Sequence, residues 1–200
     1  MLQQGLRRKE SPLQLVVPAL DHLDEYIVAL KQGWSSDNIA PEETAREELQ
    51  FIEEDPTGFI ASLEDREAKG DPIALPDGTF VARLPGYRRW MWDAGFCGSI
   101  SFRWQPGTAE LPAHCLGHIG YAVPSWKRNR GYATKALGML LTEVAKEGLP
   151  HVDLTTDPDN LPSQRVITAN GGRLVKRFTK VAAYGDNLEA LLFRIPLPPA

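Results

Sequence analysis

The most chemically pointed stretch of the chain is basic: Lys127, Arg128 and Arg130 flank Asn129, and Gly131, Tyr132, Ala133 and Thr134 follow directly. A strand-like apolar run ends before these residues and a helical pattern opens with them, so they occupy a strand-to-helix turn. A helix start offers N–H groups without intrahelical partners and a partial positive charge. Gly131 lets backbone approach a guest closely, and Ala133 keeps the next contact small. A diphosphate suits that arrangement, although a solvated basic loop at a helix start reads the same in isolation. Neither G-x-x-x-x-G-K-S/T nor G-x-G-x-x-G occurs, which disfavours a Walker-type nucleotidase and a Rossmann dinucleotide enzyme.

Other reactive residue types are sparse. His114, Cys115 and His118 invite a metal reading, but in a strand His114 and His118 share a face while Cys115 points away, and no fourth ligand is apparent. No metal is therefore expected. Nothing basic is spaced to activate Cys97 or Cys115, so both read as small apolar fillers rather than nucleophiles. Trp90 and Trp92 share a strand face at period two, with Trp104 on the next strand. They serve either as core or as the floor of a pocket for an aromatic or cationic guest. Trp126, beside the basic loop, either stacks on whatever that loop binds or is an exposed loop aromatic.

Several elements must position these residues. Residues 13–17 read as a strand, and a helix from Asp21 places Leu23, Ile27 and Leu30 at helical spacing. A second helix follows Pro41, with Ala45, Leu49 and Ile52 on one face and Glu47, Glu48, Glu53 and Glu54 on a solvated one. Residues 58–85 are broken by Gly and Pro and read as surface loops. Residues 87–92 and 96–104 form a hairpin about Asp93-Ala94-Gly95, with Cys97, Ser99, Ser101 and Arg103 taken as one alternating set. Residues 115–123 form a strand, 131–146 an amphipathic helix stopped by Gly148 and Pro150, and 151–156 another strand. Asn160 caps a short helix that ends at Asn170-Gly171-Gly172, and strands 173–181 and 188–195 precede a Pro-rich tail ending at Pro199. The order predicts an α/β chain of the α+β kind: a mixed, mostly antiparallel sheet of about seven strands with helices on both faces.

Three motifs then carry a resemblance. Arg128-x-x-Gly131-x-Ala133, entered from a strand and opening a helix, resembles the R/Q-x-x-G-x-G/A pyrophosphate loop of GNAT acetyltransferases. Gly117-His118-Ile119-Gly120-Tyr121-Ala122-Val123 upstream and Asp157-x-x-Asn160-x-x-Ser163-x-x-Val166-Ile167 downstream extend the likeness to a bacterial subgroup of predicted acetyltransferases, over roughly residues 96–195. The resemblance implies one domain over residues 1–200, with strand and acceptor-side helices in 13–60 and an acyl-CoA-binding core in 96–195. It implies acetyl-CoA between two splayed parallel strands, 115–123 and 151–156. Backbone near Tyr121 and Val123 would pair with the pantetheine, and the N–H groups of Arg128, Asn129, Arg130, Gly131, Tyr132, Ala133 and Thr134 would hold the pyrophosphate. Asn160 and Ser163 would lie near the thiol.

Acetyl transfer to a primary amine needs a neutral nucleophile, a polarised carbonyl and a proton donor for the departing thiolate, without a covalent enzyme intermediate. Where many GNAT members carry a tyrosine acid, this chain has Ile167. Tyr121 and Tyr184 are the phenols left to replace it. His118 lies where relatives often carry a base, and is a candidate base or water-positioner. The departure at Ile167 also leaves room for a second function, a catalytically silent acyl-CoA-binding module.

Bulk properties narrow the setting. Two hundred residues with 42% hydrophobic content can bury a core unaided, and a net charge of −4 disfavours partners such as nucleic acid or an anionic membrane surface. Two cysteines give no disulfide framework, no apolar run spans a bilayer, and Met1 to Gly5 lack a signal-peptide layout. The expectation is a cytoplasmic protein whose partners are acetyl-CoA and an amine acceptor, with a homodimer open to form by pairing at an exposed C-terminal strand.

Overall fold

The computed structural model describes residues 12–184 and 188–198. Met1 to Gly5 and Pro199, read above, lie outside them. In chain order the elements are β1 (Gln14–Val16), α1 (Leu23–Lys31), α2 (Pro41–Glu54), α3 (Pro56–Ser62), the two-residue strands β2 (Glu64–Asp65), β3 (Ile73–Ala74) and β4 (Phe80–Val81), then β5 (Gly86–Trp92) and β6 (Phe96–Arg103). After them come β7 (Ile119–Ala122), α4 (Tyr132–Val144), β8 (His151–Thr156), α5 (Leu161–Ala169), β9 (Arg173–Thr179) and β10 (Glu189–Pro196).

Seven strands are three residues or longer, as expected, but they divide between two sheets. One runs β1-β5-β6-β7, with β2 also on β5, and the other runs β8-β10-β9; every pairing is antiparallel. No ladder joins β7 to β8 among the described residues. The C-terminal strand is not the exposed edge anticipated: β10 pairs with β8 on one side and β9 on the other, which makes β8 and β9 the edges of that sheet.

Helices cover both faces. Trp90 and Phe96 pack with Tyr26, Leu30, Trp34 and Phe59 from α1 to α3, and Trp92 joins them, so the tryptophans of β5 are core. Tyr87, Met91, Cys97, Ile100 and Phe102 pack on the other face against Leu137, Leu140 and Val144 of α4 and Ile167 of α5. Cys97 therefore does not share the face of Ser99 and Ser101. A register break between Met91 and Trp92, opposite Gly98 at φ +138°, switches the alternation there.

Three local readings change. Residues 58–85 are not only loop, because Asp55 accepts the Gly58 N–H at 2.8 Å, Pro56 opens α3, and Phe59 is buried. Seven residues are too few to show a period. Glu48 is not solvated: it accepts from Tyr26 Oη at 2.6 Å and pairs with Arg88 at 2.9 Å. The strand expected over 115–123 begins only at Ile119, since Cys115 N–H turns back to Pro112 O and Leu116 O accepts from the Thr155 hydroxyl. The shared strand face supposed for His114 and His118 disappears with it.

Candidate functional site

The end of β7 and the start of α4 are shaped by backbone conformation. Asn129 and Gly131 adopt left-handed φ of +61° and +76°, which turns the chain sharply into the helix. The first bond of the helix runs from Lys135 N–H to Gly131 O at 3.0 Å. The N–H groups of Asn129, Arg130, Gly131, Tyr132, Ala133 and Thr134 have no acceptor among the described residues. Arg128 and Arg130 are exposed around them, with Arg128 Nε reaching Val123 O at 3.3 Å, and Trp126 is exposed too. Tyr132 spends its side chain inward, donating to Asp93 at 2.7 Å, which ties the first residue of α4 to the β5–β6 turn.

β7 supplies the adjoining backbone edge. Arg103 N–H donates to His118 O at 2.9 Å, one of the two bonds of a hydrogen-bonded pair in continuation of the β6–β7 register, while the His118 N–H goes to Asp153 O instead. Pairs alternate along an antiparallel ladder, so Gly120 and Ala122 turn their backbone groups to β6. Those of Ile119, Tyr121 and Val123 turn to the open edge facing the second sheet. Of the sequence-expected donors at 128–134, the Arg128 N–H is already turned to Ser125 O at 3.4 Å, so the free row is 129–134; it follows the edge at Tyr121 and Val123, where Arg128 Nε meets Val123 O.

Across the gap, Asn160 caps α5 by accepting the Ser163 N–H at 3.1 Å. Ser163 Oγ lies 2.8 Å from Tyr121 Oη, a polar contact linking β7 to α5. Burial pushes the Tyr121 pKa up to about 12, so it stays a neutral phenol across the physiological range. Ile167, in contrast, is buried in the core against α4 rather than on this groove.

The remaining two candidates are engaged elsewhere. His118 has no solvent-accessible surface; its N–H donates to Asp153 O at 2.7 Å and its Nδ1 accepts the Asp153 N–H at 2.9 Å. That pins the first sheet to β8, fixes the neutral tautomer with its proton on Nε2, and leaves Nε2 buried without a partner. Desolvation holds its pKa below the ordinary histidine value, outweighing the attraction of Asp153. Asp153 in turn holds Arg194 of β10 through bonds of 2.7 and 2.8 Å. Tyr184 donates its hydroxyl to His114 O at 2.7 Å, and burial raises its pKa.

A cavity of about 180 Å3 opens on the opposite face of β5–β7. The α1–α2 loop forms one wall with Ser36, Asp37, Asn38 and Ile39, and the sheet forms the other with Arg88, Ser99, Ser101, Arg103, Gly120 and Tyr121. The sequence reading missed this cavity, although the alternation of Ser99, Ser101 and Arg103 on an otherwise apolar strand and the polar run 35–38 were its available signals. Among the described residues no group of His, Cys, Asp or Glu is placed to hold a metal ion, and no helix is long and apolar enough to cross a membrane.

Comparison with known proteins bears on this arrangement. A family model described as the acetyltransferase (GNAT) domain matches residues 18–173. No curated protein sequence matches significantly. Among solved structures, the chain is similar to the microcin C7 self-immunity acetyltransferase MccE in complex with acetyl-CoA and AMP, at 15% identity over 95% of this chain and 94% of that one, TM-score 0.60. It is similar to the ribosomal L7/L12 α-N-protein acetyltransferase RimL in complex with coenzyme A, at 14% identity over 94% and 96%, TM-score 0.59. A GNAT-family acetyltransferase of Bacillus anthracis matches at 19% identity over 94% and 96%, TM-score 0.57. At these identities the likeness is one of fold.

Proposed function

The chain belongs to the GNAT acetyltransferase family, and on that premise we propose that it transfers an acetyl group from acetyl-CoA directly to a primary amine. The observation that carries the reading is the row of unpaired N–H groups from Asn129 to Thr134, continuous with the open backbone edge at Tyr121 and Val123. Oriented backbone donors at a helix start suit a diphosphate, and a bare strand edge suits an amide-containing arm such as pantetheine. Arg128 and Arg130 add long-range attraction for the anion.

The groups for proton handling follow from the same geometry. Tyr121 Oη lies at the gap between the sheets, where it can accept from the Ser163 hydroxyl at 2.8 Å and turn its own proton from Ser163 O, 3.3 Å away, to a departing thiolate; that supports it as the donor. With its pKa raised it remains protonated and acts by a charge-assisted hydrogen bond rather than by full proton release. Ser163 orients that hydroxyl, and Asn160 shapes the start of α5 beneath it. His118 takes the role of a seam between sheets in place of a base, because it is buried and its Nδ1 is already an acceptor. Tyr184, bonded to His114 O, supports the loop before β7.

The test is calorimetric titration of acetyl-CoA and of free CoA into the protein, followed by thiol release across a panel of amines. Saturable binding, weakened about tenfold or more by Arg128→Glu, together with amine-dependent thiol release, is the expected result. Binding without thiol release from any amine points to a silent acyl-CoA-binding module. Absence of binding overturns the reading altogether.

A further inference from the structure

We infer that the cavity between the α1–α2 loop and β5–β7 selects small amines that also carry a carboxylate or phosphate, with Arg103 as the residue that reads the anion. This deepens the acetyl-transfer reading and rests on it.

The cavity walls hold two arginines with different commitments. Arg88 already has its charge paired: its Nη1 bonds Glu48 at 2.9 Å and the Tyr26 hydroxyl at 3.1 Å, between the sheet and α1 and α2. Arg103 has no carboxylate within 4 Å among the described residues, and its one side-chain bond is a long contact to Ser101 Oγ at 3.5 Å. A guanidinium offers five donors in a planar fork matched to carboxylate and phosphate oxygens, so most of its hydrogen-bonding capacity is unspent. Gly120 gives it room. A Cβ there would come within 3.2 Å of Arg103 Nη2, so the guanidinium lies across β7 where any side chain would press on it.

The opposite wall carries the complementary charge. Asp37 Oδ1 accepts the N–H groups of Ile39 at 2.6 Å and Ala40 at 2.7 Å, which fixes that carboxylate on the loop. One cation on the sheet wall and one anion on the loop wall suit a molecule with an anionic group and an amine. A volume of about 180 Å3, below the roughly 300–1,000 Å3 of drug-sized pockets, favours a compact metabolite-sized acceptor over an extended chain. Arg103 also lies beside Gly120, next to Tyr121 on the edge assigned to the acyl donor, so a compact acceptor anchored there by its anion stays at that edge, and its amine reacts once it has left Asp37 and lost its proton.

The test uses matched amines with and without the charge: amino acids against their amides, and aminoalkyl phosphates against the corresponding amino alcohols. The expected result is kcat/KM at least tenfold higher for the charged member of one series, and the series showing it tells carboxylate from phosphate. In Arg103→Gln that preference collapses, while the affinity for CoA stays within about twofold. Gly120→Ala, which keeps the charge but crowds it, raises KM for the charged amine by a smaller factor. Calorimetry of the charged amines into CoA-saturated protein decides the matter without turnover: binding lost in Arg103→Gln supports the assignment, and no binding, or binding indifferent to Arg103, overturns it. Equal rates for charged and neutral partners, or for a short peptide amide against an amino acid, also overturn it. Failure of every amine to release thiol, with charged-amine binding intact, sinks acetyl transfer and leaves the anion pocket standing.

Discussion

The two sides of β7 are built by different means. On the side facing β8, the proposed cofactor groove consists of backbone: N–H groups from 129 to 134 and the free edge of Tyr121 and Val123, all within one short stretch of chain. On the other side, the cavity is made of side chains drawn from the α1–α2 loop, β5, β6 and β7, which fall between residues 36 and 121. A site made of backbone needs only the right local conformation, so a few residues can specify it. A site made of side chains exists only once distant elements have packed, and its specificity can change by single substitutions without touching the groove.

That contrast can be broken in order of expected effect. Gly131→Val places a β-branched residue at φ +76° and turns the helix-start donors away. CoA affinity is expected to fall on the order of a hundredfold, as for the loss of one or two hydrogen bonds to a charged group, while the fold measured by circular dichroism persists; calorimetry reads the change. Survival of CoA affinity in that variant would mean that backbone is not what holds the diphosphate. Ile167→Tyr comes next. It inserts a larger polar side chain where Ile167 packs against α4, so it is expected to destabilise by about 1–3 kcal/mol in denaturant unfolding without raising turnover. A rise in kcat would show that α5 can present a phenol to the groove after all.

The smallest effect concerns the seam between the two sides. The folded pKa of His118 lies below its unfolded value, so the unfolded chain binds more protons as pH falls past about 6.5; stability is fully present above that value and is lost on descending toward the folded pKa. Denaturation midpoints between pH 7.5 and 5 should fall in the native protein and fall less in His118→Asn. Equal slopes in both would remove His118 as the origin.

The parts legible in the sequence were those specified locally. Lys127 to Thr134 announced a strand-to-helix turn because charge, glycine and helical period change together there, and Trp90 and Trp92 showed a shared face because period two survives along most of β5. The inward turn of Glu48 was not legible, since an acidic helix face looks alike whether it meets water or Arg88 forty residues away. Nor was the role of His118, which depends on Asp153 arriving from another sheet. Cys97 was placed on the wrong face because one bulge at Gly98 is enough to reverse a strand's alternation.

The gap between β7 and β8, clamped at His118–Asp153 and without a ladder beyond, also sets how individual amides exchange with solvent. The amides of Tyr121 and Val123, facing that gap, should lose deuterium protection early in the free protein, whereas Arg103, bonded to His118 O, and His118, bonded to Asp153 O, should exchange late. A ligand lying along the edge would slow the first pair and leave the second unchanged, so exchange at four amides maps how far the opening extends.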